Sequence, residues 1–268
     1  MQTICLSIEK GGVGKTTVAC HLAWHLAEQG KRILFLDMDQ QGNGSEALLK
    51  YKAPNDGPDQ GSAVAFSDAG GVANLLLPDF ALPAGGPAHV LSGGDELHQF
   101  TADFNPALIQ LSKNFEKLHD AYDFCIIDTA PGWSWINFGA LMVTDHVIFP
   151  LQLEQFAVDG LQRISDSIRS VEEQGRGGRP INILGIVPNN YRLDNRLHAS
   201  NLEQLRAELG DFMMPTVPHR QHIAEAMQIG APVWRLKKDT RDASNHMRQF
   251  LTDAVKRIET PPARGEAA

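Results

Sequence analysis

Residues 9–17 read EKGGVGKTT, and their types and spacing suit one task, the holding of a chain of phosphates. In the pattern G-x-x-x-x-G-K-[ST], backbone N–H groups surround the phosphates, the lysine meets the terminal ones and the hydroxyl ligates magnesium. Gly14, Lys15 and Thr16 fill the last three places. Gly11, Gly12 and Val13 supply closely approaching backbone, Thr17 continues into the next turn, and Glu9 stands where the pattern has its first glycine. Lys10 is a second cation in a loop that already has one. It reads either as a solvated loop lysine or as a charge for a bound nucleotide, its own or a neighbour's, by the in-trans logic of an arginine finger. Three carboxylates complete the chemistry: Asp37 and Asp39 after one apolar run, and Asp128 after another. The pair Asp37 and Asp39, unpaired, would repel each other unless magnesium and the lysines offset them; the plainer reading is a strand-end acidic pair that caps a helix.

Elements of alternating type must position these groups. Ile4, Leu6 and Ile8 alternate as a strand does, and Thr17–Gln29 reads as a helix with Val18, Leu22, His25 and Leu26 on one side, so the glycine loop joins strand to helix. A helix N-terminus adds its dipole to the anion site. Ile33–Leu36 forms an apolar strand ending at Asp37, and YDFCIIDTAPG, residues 122–132, forms another ending at Asp128. Trp133 and Trp135 follow, read either as core aromatics or with at least one on a contact surface. Residues 145–164 give a strand, a turn and an amphipathic helix. Residues 181–196 give a buried strand, then Pro188, Asn189 and Asn190. The pattern predicts an α/β fold, a doubly wound and mostly parallel sheet with ligands beyond the carboxyl ends of its strands. We expect one domain over 1–260 and a polar tail over 261–268. Residues 51–87, rich in Gly, Pro, Ala and Asp, read as an irregular surface excursion with one possible helical turn at Val72–Leu77.

A chain of 268 residues is long enough for a self-sufficient core. It has no apolar run of bilayer length, and its first strand starts almost at Met1, so the expectation is a cytoplasmic protein without a signal peptide. Cys5, Cys20 and Cys125 sit in apolar stretches without metal-ligand spacing and read as buried thiols in a reducing compartment. The formal charge of −8 is unevenly spread. Residues 1–175 hold 10 basic against 22 acidic side chains, whereas residues 176–268 hold 14 against 10.

The run KGGVGKTT, the DMDQQGN at 37–43 and the DTAPG at 128–132 together resemble the deviant phosphate-loop ATPases of the ParA/MinD family, and the likeness extends over nearly the whole chain. The family pattern D-x-D-P-Q-G-N is matched with Gln40 in place of proline. The resemblance implies ATP and magnesium as cofactors and a dimer that encloses its nucleotides. In it Lys10 crosses to the partner's nucleotide, Lys15 serves its own, Asp39 positions the attacking water, and Thr16, Asp37 and Asp128 hold or support magnesium. It also implies an adenine pocket from Asn189 or Asn190 together with Val217 and Pro218; an asparagine amide both donates and accepts, which suits the adenine edge. The absence of cluster cysteines argues against the nitrogenase iron-protein relatives.

Within that family the chain is most similar to the short ParA type of partition ATPase, and GAPVWRLKK and DASNHMRQF resemble the IncC proteins of broad-host-range plasmids. The implied activity is weak ATP hydrolysis stimulated by a ParB-like centromere-binding protein, with the ATP-bound homodimer binding double-stranded DNA non-specifically and the protein associated with the nucleoid. The basic residues Arg192, Arg196, Arg220, Arg235, Lys237, Lys238 and Arg241 are the expected DNA face, since such clusters bind phosphates without reading sequence. Two alternatives stand beside this. One is a positioning ATPase for a protein cargo such as a chemoreceptor array or carboxysome; the other is a MinD-like division regulator held to membrane by its last helix. That helix, roughly Asn245–Ile258, carries an apolar stripe of Met247, Phe250, Leu251, Ala254, Val255 and Ile258. Its continuity with the domain and weak basicity favour docking on the sheet over membrane binding.

Overall fold

The computed structural model describes residues 1–50, 61–67, 86–100, 104–153, 158–192, 194–236 and 240–261. Its strands are β1 (Gln2–Leu6), β2 (Ile33–Met38), β3 (Ala88–Leu91), β4 (Phe124–Thr129), β5 (His146–Gln152), β6 (Asn182–Tyr191) and β7 (Val217–Pro218). Its helices are α1 (Lys15–Glu28), α2 (Asn43–Leu49), α3 (Phe104–Leu118), α4 (Trp135–Met142), α5 (Val158–Gly175), α6 (Arg196–Leu209), α7 (Gln221–Ile229) and α8 (Arg241–Glu259). The strands form one sheet in the order β3-β2-β4-β1-β5-β6-β7, every pair parallel.

A parallel sheet covered on both faces needs strands apolar at successive positions, and the sequence supplies them. Side chains alternate between two layers. Ile4, Leu6, Ile33, Phe35, Ile126 and Ile148 face one core with α1, α2, α7 and α8. Cys5, Leu34, Leu36, Cys125, Ile127, Val147 and Phe149 face the other with α3, α4 and α5. The central helix α1 is buried on most sides, from Val18 to Ala27. In α8 the stripe Met247, Phe250, Leu251, Ala254 and Ile258 is buried against the first core, so its apolar face is used within the fold. The helix opens at Arg241, four residues before the start read from the sequence, because the polar first turn hides it.

One expectation is corrected. Part of the 51–87 stretch is interior: Ser62–Phe66 forms a 3-10 turn in which Ser62, Ala65 and Phe66 are fully buried. Asn114 of α3 donates to the carbonyls of Ala65 and Ser67 at 2.9 and 3.0 Å, and Phe66 packs edge-on against Trp135. Five residues of small and apolar type have no room for a helical period, which is why pattern alone misses them. The possible turn at Val72–Leu77 lies outside the described residues, as do Lys237, Lys238 and the tail beyond Pro261.

Candidate functional site

The carboxyl ends of β1, β2 and β4 meet at the loop before α1. Gly12 (φ 74°) and Gly14 (φ 90°) take left-handed backbone there. Gly14 could not be otherwise, since a Cβ on it would collide with the Asn189 amide. α4 is capped by the Ser134 hydroxyl and α6 by the Asn195 side chain, but α1 starts on Gly14 with no side-chain cap. Its first-turn N–H groups are left to an anion. Lys15 is buried, with Nζ donating to Lys10 O at 3.1 Å and Ile8 O at 3.4 Å, so its charge lies inside the loop. Burial pushes its pKa down while Asp128 and Asp39 pull it back up. Lys10 is exposed on the outer rim. Gly132 N donates to Glu9 O at 2.6 Å, tying the loop after β4 to the phosphate loop.

Asp37 and Asp128 are register partners on the neighbouring strands β2 and β4, both fully buried. Asp37 is furnished with donors: Ser45 N and Oγ at 2.8 and 2.9 Å on Oδ2, and Asp39 N at 3.1 Å on Oδ1. Burial nevertheless raises its pKa to about 6. Asp128 also has its pKa raised well above the usual carboxylate range, by burial first and the neighbouring Asp37 second. Neither of its oxygens accepts a well-formed hydrogen bond, and the Thr16 hydroxyl and Lys15 only partly offset the rise. An orphaned buried carboxylate beside a second acid, a hydroxyl and an uncapped helix suits a divalent cation arriving with phosphates. Among the described residues no three His, Cys, Asp or Glu side chains form a metal cage by themselves. Magnesium at phosphates does not need one, as phosphate oxygens and water fill most of its shell. Thr16, Asp128 and Asp37 are the side chains that would hold or back such an ion. Asp39 lies half-buried at the loop after β2, its Oδ1 accepting from Gln41 N at 2.9 Å. Gly93 packs so closely on this loop that a Cβ would collide with the Asp39 carbonyl. Gln40, in the proline position, reaches His98 Nδ1 at 3.3 Å.

The two asparagines at the end of β6 part ways. Asn189 is buried and donates to Val13 O at 2.7 Å. Asn190 takes a left-handed conformation (φ 59°), and its Oδ1 pairs with His219 Nδ1 at 2.5 Å, next to the buried Pro218 of β7. Asn189 thus supports the phosphate loop, and Asn190 is the asparagine at the open end beside β7. Gln152, at the end of β5, has no signal in the sequence, yet its Nε2 donates to Gly12 O at 2.8 Å. Of the two tryptophans, Trp135 is partly buried and packs on Phe66, whereas Trp133 is 45% exposed.

Four of the basic residues come together. His219 N donates to Tyr191 O, which places Arg192 and Arg220 just beyond one backbone contact; Arg220 pairs with Asp242 beside Arg241, and Arg196 opens α6. Arg192 is 3.7 Å from Asp194. Arg235 lies apart, paired at 2.5 Å with Glu28 near the far end of α1.

The family model described as the CobQ/CobB/MinD/ParA nucleotide-binding domain matches residues 4–233. Among curated relatives, the Escherichia coli protein IncC is 30% identical over 277 residues, covering 97% of this chain and 70% of its own. The chromosome-partitioning ATPase Soj of Thermus thermophilus is 30% identical, covering 97% of each chain. In fold, the chain superposes on a Borrelia burgdorferi protein assigned to plasmid partition and bound to AMPPNP, with a TM-score of 0.76 at 22% identity over 96% of this chain and 99% of that one. With this phosphate loop, acid pair and parallel sheet, the chain belongs to the CobQ/CobB/MinD/ParA family of nucleotide-binding domains, with a chromosome-partitioning ATPase among its relatives.

Proposed function

We propose that this chain is a DNA-partition ATPase that works as an ATP-enclosing homodimer. The observation that carries the reading is the division of labour between the two lysines: Lys15 is buried within its own loop, whereas Lys10 is exposed on the rim and free of that task. In this cycle Lys15 and the α1 N-terminus hold the terminal phosphates of ATP, and Lys10 reaches the nucleotide of the partner subunit. Thr16, backed by Asp128 and Asp37, would hold magnesium, which supplies charge neutralisation on the phosphates. Asp39, at the mouth of the site, orients the water that attacks the terminal phosphate. Asn190 and Pro218 border the base. The dimer then binds double-stranded DNA through its basic edge, on the nucleoid in the cytoplasm, until a ParB-like centromere-binding protein stimulates hydrolysis and release. The buried stripe of α8 supports docking of that helix over a membrane role.

Light scattering on the protein with saturating ATP and magnesium tests the reading. A dimer that dissociates after conversion to ADP is expected. Lys10→Ala should keep ATP binding and lose stimulated turnover, while Asp39→Ala should hold a dimer that stays on DNA. A strict monomer at every concentration with ATP, or unchanged stimulated turnover in Lys10→Ala, would overturn it.

A further inference from the structure

β5 and β6 end side by side, with Gln152 and Asn189 directly opposite in the strand register. Their side-chain amides cross to the same target. Gln152 Nε2 donates to the carbonyl of Gly12 at 2.8 Å and Asn189 Nδ2 to that of Val13 at 2.7 Å, so two successive phosphate-loop carbonyls are drawn toward the β5–β6 side. A trans peptide is planar, with its N–H pointing opposite to its C=O. Fixing the Gly12 and Val13 carbonyls therefore fixes the N–H groups of Val13 and Gly14, which are turned away from the two amides. The left-handed glycines on either side, Gly12 and Gly14, give the alternating backbone that gathers N–H groups into an anion-binding concavity. The Asn189 amide also occupies the space any side chain at position 14 would need.

We propose that Gln152 and Asn189 form an amide brace, two positioning residues that hold the Val13 and Gly14 N–H groups toward the polyphosphate. The brace acts on the phosphates and not on the base, so Asn189 is withdrawn from adenine recognition. It also ties the loop to β6, whose next residue, Asn190, stands at the open end with His219. The proposal rests on the nucleotide-binding reading of the site, and its test separates the two.

The test measures magnesium–ADP and AMP binding by calorimetry for wild type, Gln152→Ala and Gln152→Glu, with thermal melting to confirm that each variant is folded. Losing one neutral hydrogen bond should weaken ADP about fivefold in Gln152→Ala, with AMP changed by less than about twofold, since the loop grips the outer phosphates. Gln152→Glu keeps the shape but turns a donor into an acceptor facing a carbonyl. It should bind ADP more weakly than Gln152→Ala at pH 8 and overtake it toward pH 5, where a protonated carboxyl donates again. Asp37, Asp128, His198, His219 and the phosphate-loop lysines are common to all three proteins, so the Glu-to-Ala ratio isolates the introduced group. Asn189→Asp provides a second, buried arm with the same sign. Equal weakening of ADP and AMP, or a Glu-to-Ala ratio independent of pH, would overturn the brace. A wild type that binds ADP while Gln152→Glu matches it at pH 8 removes the brace alone, whereas a wild type that binds neither ADP nor AMP removes the nucleotide reading beneath it.

Discussion

At the residue scale, the buried acid pair makes the strongest demand on its surroundings. Asp37 is fully buried with its pKa raised from the usual 3.8 to about 6, and that of the fully buried Asp128 beside it is raised as well. A raised carboxyl pKa means that the folded chain holds a proton the unfolded chain has released. The stabilisation is therefore fully present below pH 4 and is lost as pH rises to about 6. His21 has the opposite slope: burial lowers its pKa to about 4, so its contribution is lost as pH falls below 6.5. Wild type minus Asp37→Asn reads the acid together with its effect on Asp128. Without nucleotide, the Tm advantage of wild type should shrink by about 5 °C between pH 4 and pH 7, since one pKa unit is worth ~1.4 kcal/mol and 1 kcal/mol moves Tm by about 2–4 °C in a chain of this size. Magnesium with ATP should flatten that slope by compensating the ionised pair. A Tm difference independent of pH would show that folding leaves the Asp37 pKa where it is in the unfolded chain. The aspartates themselves were legible in the sequence, each at the end of an apolar run. That they stand as register partners was not, because β2 and β4 are brought together by a crossover that leaves no local pattern. A lone glutamine at a strand end, Gln152, has no spacing signal either, and its role exists only because β5 ends beside the phosphate loop.

At the element scale, α1 is a shaft between the phosphate loop and the C-terminal region. His21 Nε2 accepts from Val233 N at 3.3 Å, so Nδ1 carries the proton and donates to Thr17 O at 2.8 Å, in the first turn of the helix. One turn on, His25 meets the edge of Trp234, and at the helix end Glu28 accepts from Trp234 Nε1 at 2.9 Å and from Arg235 Nε at 2.5 Å. Arg248 of α8 lies 5.0 Å over the Trp234 ring. Side chains from α1 and α8 thus fasten residues 233–235 to the helix that begins at Lys15. Replacing His21 by Leu keeps the volume roughly but leaves the buried Val233 N–H without its acceptor, a loss of about 1–3 kcal/mol. Hydrogen exchange should speed up at Val233–Leu236 and leave α3 and α4 unchanged; uniform acceleration across the chain would mean that the clamp is merely part of the core. The helix α1 was legible from its period, with one of its buried sides; the burial of Ala19, Cys20, His21, Ala23 and Trp24 around it was not. Its partner segment was not, because Val233–Arg235 is a three-residue turn whose burial depends on α1 and α8 already being in place.

At the scale of the whole molecule, charge is sorted by sequence and then sorted again by folding. The excess of basic residues in the last third was visible in the chain, but the sequence alone puts Arg235 in the same group as Arg241. Folding splits that group. Arg192, Arg196, Arg220 and Arg241 gather where β6, β7 and α8 present their ends near the nucleotide site, while Arg235 is neutralised by Glu28 at the far end of α1. Phosphate contacts release counterions, so the slope of log K against log salt falls by about 0.9 for each phosphate neutralised. A dimer uses every contact twice. Arg192→Ala or Arg196→Ala should therefore flatten the salt slope of ATP-dependent binding to arbitrary duplex DNA by about 2, with equal loss on any sequence. Arg235→Ala should leave the slope as it is, because that residue lies apart from the cluster, paired with Glu28 at the far end of α1. Fluorescence anisotropy with two unrelated duplexes across a salt series distinguishes the cases. If Arg235→Ala flattened the slope while Arg192→Ala and Arg196→Ala did not, the DNA face would run along the outer end of α1, and the edge that carries Arg220 and Arg241 would be left to contacts with protein.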